Sequence, residues 1–273
     1  MNASEWSRVP FWVFTGGLAI LFIFPIAWAM FASISGQTGS AQVDGYGFAN
    51  YQTLADFGAG LPKYFYNSVL LSAMTVGITL GVSILGGYAF ARFQFPLKNV
   101  MFLLTLAILM VPYATVIIPL YVILQQLGML NSLLGLAIVL AMFQLPFATF
   151  MMRISFEAVP KELEESALVD GCSTFGVLRR ILLRAVMPGI ITVGLFAFLA
   201  AWNEYFAPLV LIQAPQAVPL PVAMANLRTQ TMGQIDYGAT EAGVVVMMLP
   251  ALVLFLFLQR FYVRGFMSGA IKG

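Results

Sequence analysis

Along this 273-residue chain, apolar residues come in long unbroken runs rather than in alternation. A helix needs roughly 20 mostly apolar residues to cross a hydrocarbon core. Six segments meet that length: 11–34, 67–91, 100–124, 133–152, 186–212 and 242–263. Barrel strands would be about half as long and would alternate polar with apolar. The pattern therefore predicts an all-α polytopic membrane protein with six spans in one domain, 1–273. The first run is about twice the length of a signal-peptide core, so it reads as a retained helix.

Charge placement orients the spans. With the N-terminus inside, the inner loops hold eleven Lys and Arg residues, and the outer loops hold only Lys63 and Arg228. The positive-inside rule then puts both termini in the cytoplasm. Charged residues make up 9% of the chain against about 25% in soluble domains. There is no His and only one Cys, Cys172. A His-dependent triad, a His-ligated metal and an intrachain disulfide are thereby excluded. A net charge of +2 provides no field for nucleic acid. No GxxxxGK[ST] phosphate loop occurs. Gly81, Gly86 and Gly87 lie within a span, where small residues let helices pack closely.

Two outer loops are long, Gly36 to Pro62 and Gln213 to Thr240; loops of this length are often functional, with a mere connector as the alternative. The inner loop from Glu157 to Arg184 is different. Between Arg153 and Arg184 lie ten of the chain's charged residues: Arg153, Glu157, Lys161, Glu162, Glu164, Glu165, Asp170, Arg179, Arg180 and Arg184. Pro160 can open a helix, and Glu162, Glu164 and Glu165 suit its positive end. Leu163, Ala167 and Leu168 give it an apolar face. Asp170-Gly171 signals a turn, and Ser173 or Thr174 can cap a second helix that carries Phe175, Leu178, Ile181 and Leu182 on one side. An apolar stripe needs a partner. Anionic lipid would repel the acidic first helix, which favours a protein.

At these residues the sequence resembles the permease subunits of ABC importers. Glu165-Ser166-Ala167, three residues, Gly171, nine residues and Ile181-Leu182-Leu183 match the spacing of that family's EAA loop. Ser166 stands where the family has the middle Ala of its Glu-Ala-Ala, and Arg184 stands where it has Pro. The flanks Val159-Pro160-Lys161-Glu162-Leu163 and Val169-Asp170-Gly171 resemble its carbohydrate-uptake branch. Gly87-Tyr88-Ala89-Phe90-Ala91-Arg92-Phe93 is similar to its inner membrane edge, and Ala201-Trp202-Asn203-Glu204 to its Trp-Asn-acidic segment. The ending Ser268-Gly269-Ala270-Ile271-Lys272-Gly273 resembles the tail of the second permease chain in maltose-type importers.

The resemblance implies a transport subunit, not an enzyme. It implies a second permease chain, two ATPase chains that bind ATP and Mg, and an external substrate-binding protein. This chain would bind no cofactor itself. Glu162, Leu163, Glu165, Ser166, Ala167, Leu168, Asp170 and Gly171 would form the coupling helix in an ATPase cleft. Ser268, Gly269 and Lys272 would reach the ATPases. The substrate would be a sugar or related polyol, with an amino sugar or a choline-type glycerophosphodiester as the alternatives.

Glu204 is the carboxylate inside a span, where charge is costly unless it faces a cavity or partner. With Trp202, Asn203 and Gln144 it could line a sugar pathway. Alternatively, it could bond to a neighbouring subunit or to a helix break near Pro208. Glu241, at a span end, reads as an exposed cap. An ion-coupled secondary transporter is the rival reading, with Glu204 as its coupling group.

Overall fold

The computed structural model describes residues 9–38, 41–230 and 236–270, with side chains for 10–35, 46–228 and 236–259. Among the described residues, four helices are long and apolar enough to cross a membrane unbroken: α1 (Val9–Ile34), α3 (Leu61–Arg92), α6 (Leu133–Glu157) and the Tyr237–Gln259 part of α12 (Tyr237–Ala270). The expected span at 100–124 is a bent pair: α4 (Lys98–Ala107) runs on as a 3-10 turn to Met110 and meets α5 (Tyr113–Gln126) at 102°. The expected span at 186–212 holds α9 (Met187–Trp202), which α8 (Thr174–Ala185) of the preceding loop meets at 78°.

Neither of these two segments is one continuous helix. At the first, Pro112 lacks an N–H and pushes Val111 into extended backbone (φ −78°, ψ 124°). At the second, the helix ends at Trp202, and a short α10 (Phe206–Leu211) follows after a break. Pro25, Pro119, Pro146 and Pro250 lie inside helices without ending them, as membrane helices tolerate when neighbours re-satisfy the backbone.

The long loops also carry structure. Ser35–Thr38 (β1) and Ala41–Tyr46 (β2) pair as an antiparallel hairpin, followed by α2 (Ala49–Asp56). In the second long loop, a 3-10 turn at Pro215–Ala217 precedes α11 (Leu220–Gln230). The cap of α12 is Asp236, not Glu241. Asp236 is buried, and its carboxylate accepts from the Ala239 N–H at 2.9 Å. A carboxylate three residues before that N–H reaches it, whereas Glu241 lies in the second turn and is half-buried.

By contacts the chain divides into two units. Unit one is 1–62 with 223–250, and unit two is 63–222 with 251–273. In unit one, Leu54, Leu227, Ala239 and Ala242 form a small core. Unit two has two cores. One gathers Leu71, Ile117, Leu136, Leu140, Ala201 and Leu211. The other gathers Tyr88, Met152, Phe156, Ala167, Val177, Leu178 and Leu182 beneath the charged loop.

Glycines set the closest helix approaches in unit two. A Cβ on Gly87 of α3 would stand 2.5 Å from Met152 Cβ and 2.9 Å from the Arg153 N on α6. Gly86 meets Thr149 of α6 at 3.5 Å, but Gly81 faces open space. Close packing through small residues therefore holds at Gly86 and Gly87 alone of the three.

Candidate functional site

The charged loop folds as two short helices around a glycine. Pro160 sits at the N-cap of α7 (Lys161–Val169), with Glu162 and Glu164 in its first turn. The helix ends with the Cys172 N–H bonded to the Ala167 carbonyl and the Gly171 N–H bonded to that of Leu168, both at 3.0 Å. That pair of bonds needs a left-handed residue at the second position after the helix. Gly171 supplies it with φ +86°. Ser173, rather than Thr174, caps α8, accepting from the Gly176 N–H at 3.2 Å. A π-helical stretch, Leu178–Leu182, then buries Leu178 and Leu182.

The faces of α7 differ from the expected ones. Ala167 is buried in this chain's own core, with Val177 and Leu178 packed in the same cluster, so it is unavailable to fill a partner's cleft. Glu162, Leu163, Glu165, Ser166, Leu168, Asp170 and Gly171 are exposed. Val169 and Phe175, which the sequence reading placed elsewhere or left out, are exposed at 88% and 67%. The loop therefore exposes four apolar side chains, Leu163, Leu168, Val169 and Phe175, among carboxylates. The Ser166 hydroxyl donates to the Glu162 carbonyl at 2.6 Å, so its polar group is used within the helix.

Glu164 is turned inward. Tyr88 donates its hydroxyl proton to Glu164 Oε1 at 2.7 Å. Arg92 Nε lies 3.1 Å from Glu164 Oε2, and Arg92 Nη2 donates to the Val159 carbonyl at 2.7 Å. Sequence reasoning gave Glu164 only a place in the first turns of the helix and missed its contacts with α3. The signal was present in the Gly87–Phe93 motif, whose Tyr and Arg stand four residues apart on one face of α3.

Within the membrane region, Tyr113, Leu140, Phe143, Gln144, Ala200 and Glu204 line a cavity of about 150 Å³. Two helix breaks border it, the one before Tyr113 and the one around Glu204. Glu204 Oε1 accepts from the Ala207 N–H at 3.0 Å, capping α10 just before Pro208. Glu204 thus both bonds to the helix break and lines the cavity. Tyr113 packs edge-on to Phe143 at 4.6 Å between centroids.

Of the other expected pathway residues, Gln144 lines the cavity, but Trp202 and Asn203 do not. Trp202 is fully buried, stacked on Phe198 and edge-on to Phe65. Asn203 donates to the Leu199 carbonyl at 2.8 Å. Ser268 and Gly269 lie on the helical backbone of α12 with side chains outside the described residues, and Lys272 lies outside them altogether. No cluster of His, Cys, Asp and Glu able to hold a metal occurs among the described residues.

Apolar spanning helices, broken helices around a membrane cavity and a folded charged loop define a multi-pass transport permease. Residues 77–268 match the model of the binding-protein-dependent transport system inner membrane component family, and the chain belongs to that family. It is 33% identical over 94% of both chains to the diacetylchitobiose uptake system permease DasC of Streptomyces coelicolor. It is 28% identical, over 97% of this chain and 96% of that one, to the arabinooligosaccharides transport system permease AraQ of Bacillus subtilis. Its fold matches a chain of a bacterial ABC transporter involved in importing the acidic polysaccharide alginate. There the TM-score is 0.79 at 20% identity, with 96% of this chain and 99% of that one covered. The chain is therefore an inner-membrane, multi-pass permease subunit and not itself an enzyme.

Proposed function

We propose that this chain is one of two permease subunits of an ATP-driven importer that carries an uncharged sugar or short oligosaccharide into the cytoplasm. ATP and Mg are bound by two separate ATPase chains. An external binding protein delivers the ligand. Both termini and the α7–α8 loop are cytoplasmic. Closure of the ATPases moves α7, and the membrane helices then expose the pathway to alternate sides.

The observation that carries this reading is the α7–α8 loop. It is a pre-folded knob that exposes apolar side chains and carboxylates and is fixed from behind by this chain's own core. A free amphipathic loop would not need that backing. Glu165 is exposed and suits a basic residue in an ATPase cleft.

The sugar reading draws on the relatives that take up diacetylchitobiose and arabinooligosaccharides, and on the cavity's chemistry. Tyr113, Gln144 and Glu204 offer donors and acceptors for hydroxyls, and the Glu204 carboxylate disfavours an anionic ligand. At about 150 Å³ the cavity is below the roughly 300 Å³ at which ligand pockets usually begin. It is a niche of the pathway that widens when the helices move.

Two substitutions test the reading. Glu165→Lys reverses the exposed charge, and Gly171→Trp blocks the left-handed turn. Each is expected to lower ATP-dependent sugar uptake more than tenfold, with the protein still inserted in the membrane. Full uptake by both variants, or uptake driven by an ion gradient without ATP, would sink it.

A further inference from the structure

The exposed face of α7 explains docking, but not why both oxygens of Glu164 are held by α3. Tyr88 takes Oε1, Arg92 takes Oε2, and Arg92 also grips the Val159 carbonyl in the link between α6 and α7. The Arg92 and Glu164 side chains retain only 6% and 15% of their exposure. A buried pair of this kind adds little net stability, but it fixes geometry. Gly87 allows the approach, because any larger residue there would collide with the α6 backbone.

The far end of α3 is pinned as well. Asn67 Nδ2 donates to the carbonyls of Gln216 and Val218 at 2.8 and 2.9 Å. The Leu220 N–H donates to Ser68 Oγ at 2.8 Å. Asn67 and Ser68 are both buried. The same segment is held from the α5–α6 turn by Asn131, whose Oδ1 accepts from the Gln213 and Ala214 N–H groups.

Between the pins α3 is an unbroken helix. From Ser68 to Arg92 it runs about 36 Å at roughly 1.5 Å per residue, enough to cross the hydrocarbon core. The other routes out of α7 are softer. The route through α8 to α9 turns by 78°, and α6 contains Pro146.

We propose that α3 is a transmission rod, clamped to the docking helix by Tyr88, Arg92 and Glu164 and clamped to the 216–220 segment on the opposite face by Asn67 and Ser68, so that displacement of α7 is relayed across the membrane. The relay rests on the importer reading above. It makes the 216–220 segment, rather than the cavity alone, a part that senses the external binding protein. Information passes both ways, because a coupling free energy between two sites is reciprocal.

The test uses the intact importer with its ATPase chains and binding protein in lipid nanodiscs, and compares Arg92→Gln, Asn67→Leu and the double variant. Each single variant is expected to keep basal ATP hydrolysis and to lose at least tenfold of the stimulation by binding protein. The double variant is expected to be no worse than the poorer single one, because the pins act in series. Sites this far apart ordinarily add, so a merely structural role would multiply the losses. Multiplied losses, or single variants that assemble and keep their stimulation, overturn the relay. Should a variant fail to assemble, the milder pair Tyr88→Phe and Ser68→Ala reads the same pattern at about threefold per site. Failure of the unmodified chain to co-purify with ATPase subunits would instead count against the importer reading.

Discussion

Glu204 carries two roles on one side chain, and substitution can separate them. One carboxylate oxygen accepts from the Ala207 N–H and caps α10, while the side chain also faces the cavity with Gln144 and Tyr113. Glutamine keeps an acceptor for the cap and removes the charge. Leucine removes both. Glu204→Leu is expected to cost about 1 kcal/mol in thermal unfolding, the usual loss of a cap. Glu204→Gln is expected to unfold like the parent. If the carboxylate serves the pathway, both variants lower sugar uptake in membrane vesicles at least fivefold. Normal uptake by Glu204→Gln would leave Glu204 as a cap alone. The motif Trp202-Asn203-Glu204 did not reveal this division. It marks a helix end, and which of its three side chains faces inward depends on where α9 stops.

At the scale of the element, glycine decides which helices touch. Gly81 and Gly87 sit on the same helix, α3, but only Gly87 lies against α6. Gly81→Ala adds a methyl group in open space and removes an entropic penalty, so it is expected to be neutral or to stabilise by roughly 0.5–1 kcal/mol. Gly87→Ala must push α3 away from the α6 backbone, at a cost of about 1–3 kcal/mol. Thermal unfolding of the two variants in detergent reads the contrast, and equal midpoints would contradict the packing. Sequence alone could not separate the two glycines, since their difference lies in the partner helix. It could place α1, α3, α6 and α12, because apolar length is a local property. It also located the α7–α8 loop with its Gly171 turn and Ser173 cap, because capping chemistry is local too. The bend at Val111-Pro112 was not legible. Several other prolines stay inside helices, and what distinguishes Pro112 is its surroundings. The inward turn of Ala167 and Glu164 was hidden for the same reason, since it depends on α3 lying beside α7.

For the whole molecule, the orientation and the docking face make one joint prediction through the chain's single cysteine. Cys172 directly follows Gly171 in the α7–α8 loop and is half-buried. The proposed orientation has this loop inside the cell, with eleven of the thirteen Lys and Arg residues on its side. A membrane-impermeant maleimide should therefore leave Cys172 unlabelled in intact spheroplasts. It should label Cys172 in inside-out vesicles stripped of ATPase subunits. Adding the ATPase subunits back should protect the thiol at least fivefold, because the exposed Leu168, Val169 and Phe175 next to the Gly171 turn would be covered. A Ser166→Cys variant in a Cys172→Ser background provides a fully exposed reporter on the same helix, in case the native thiol reacts slowly. Labelling from the outside would reverse the assigned topology. Inside labelling that ATPase subunits leave unchanged would preserve the topology and remove α7 from the docking surface. The two arms thus separate where the loop lies from what it binds, and only the combination of inside access and protection fits a loop built to receive another protein's motion.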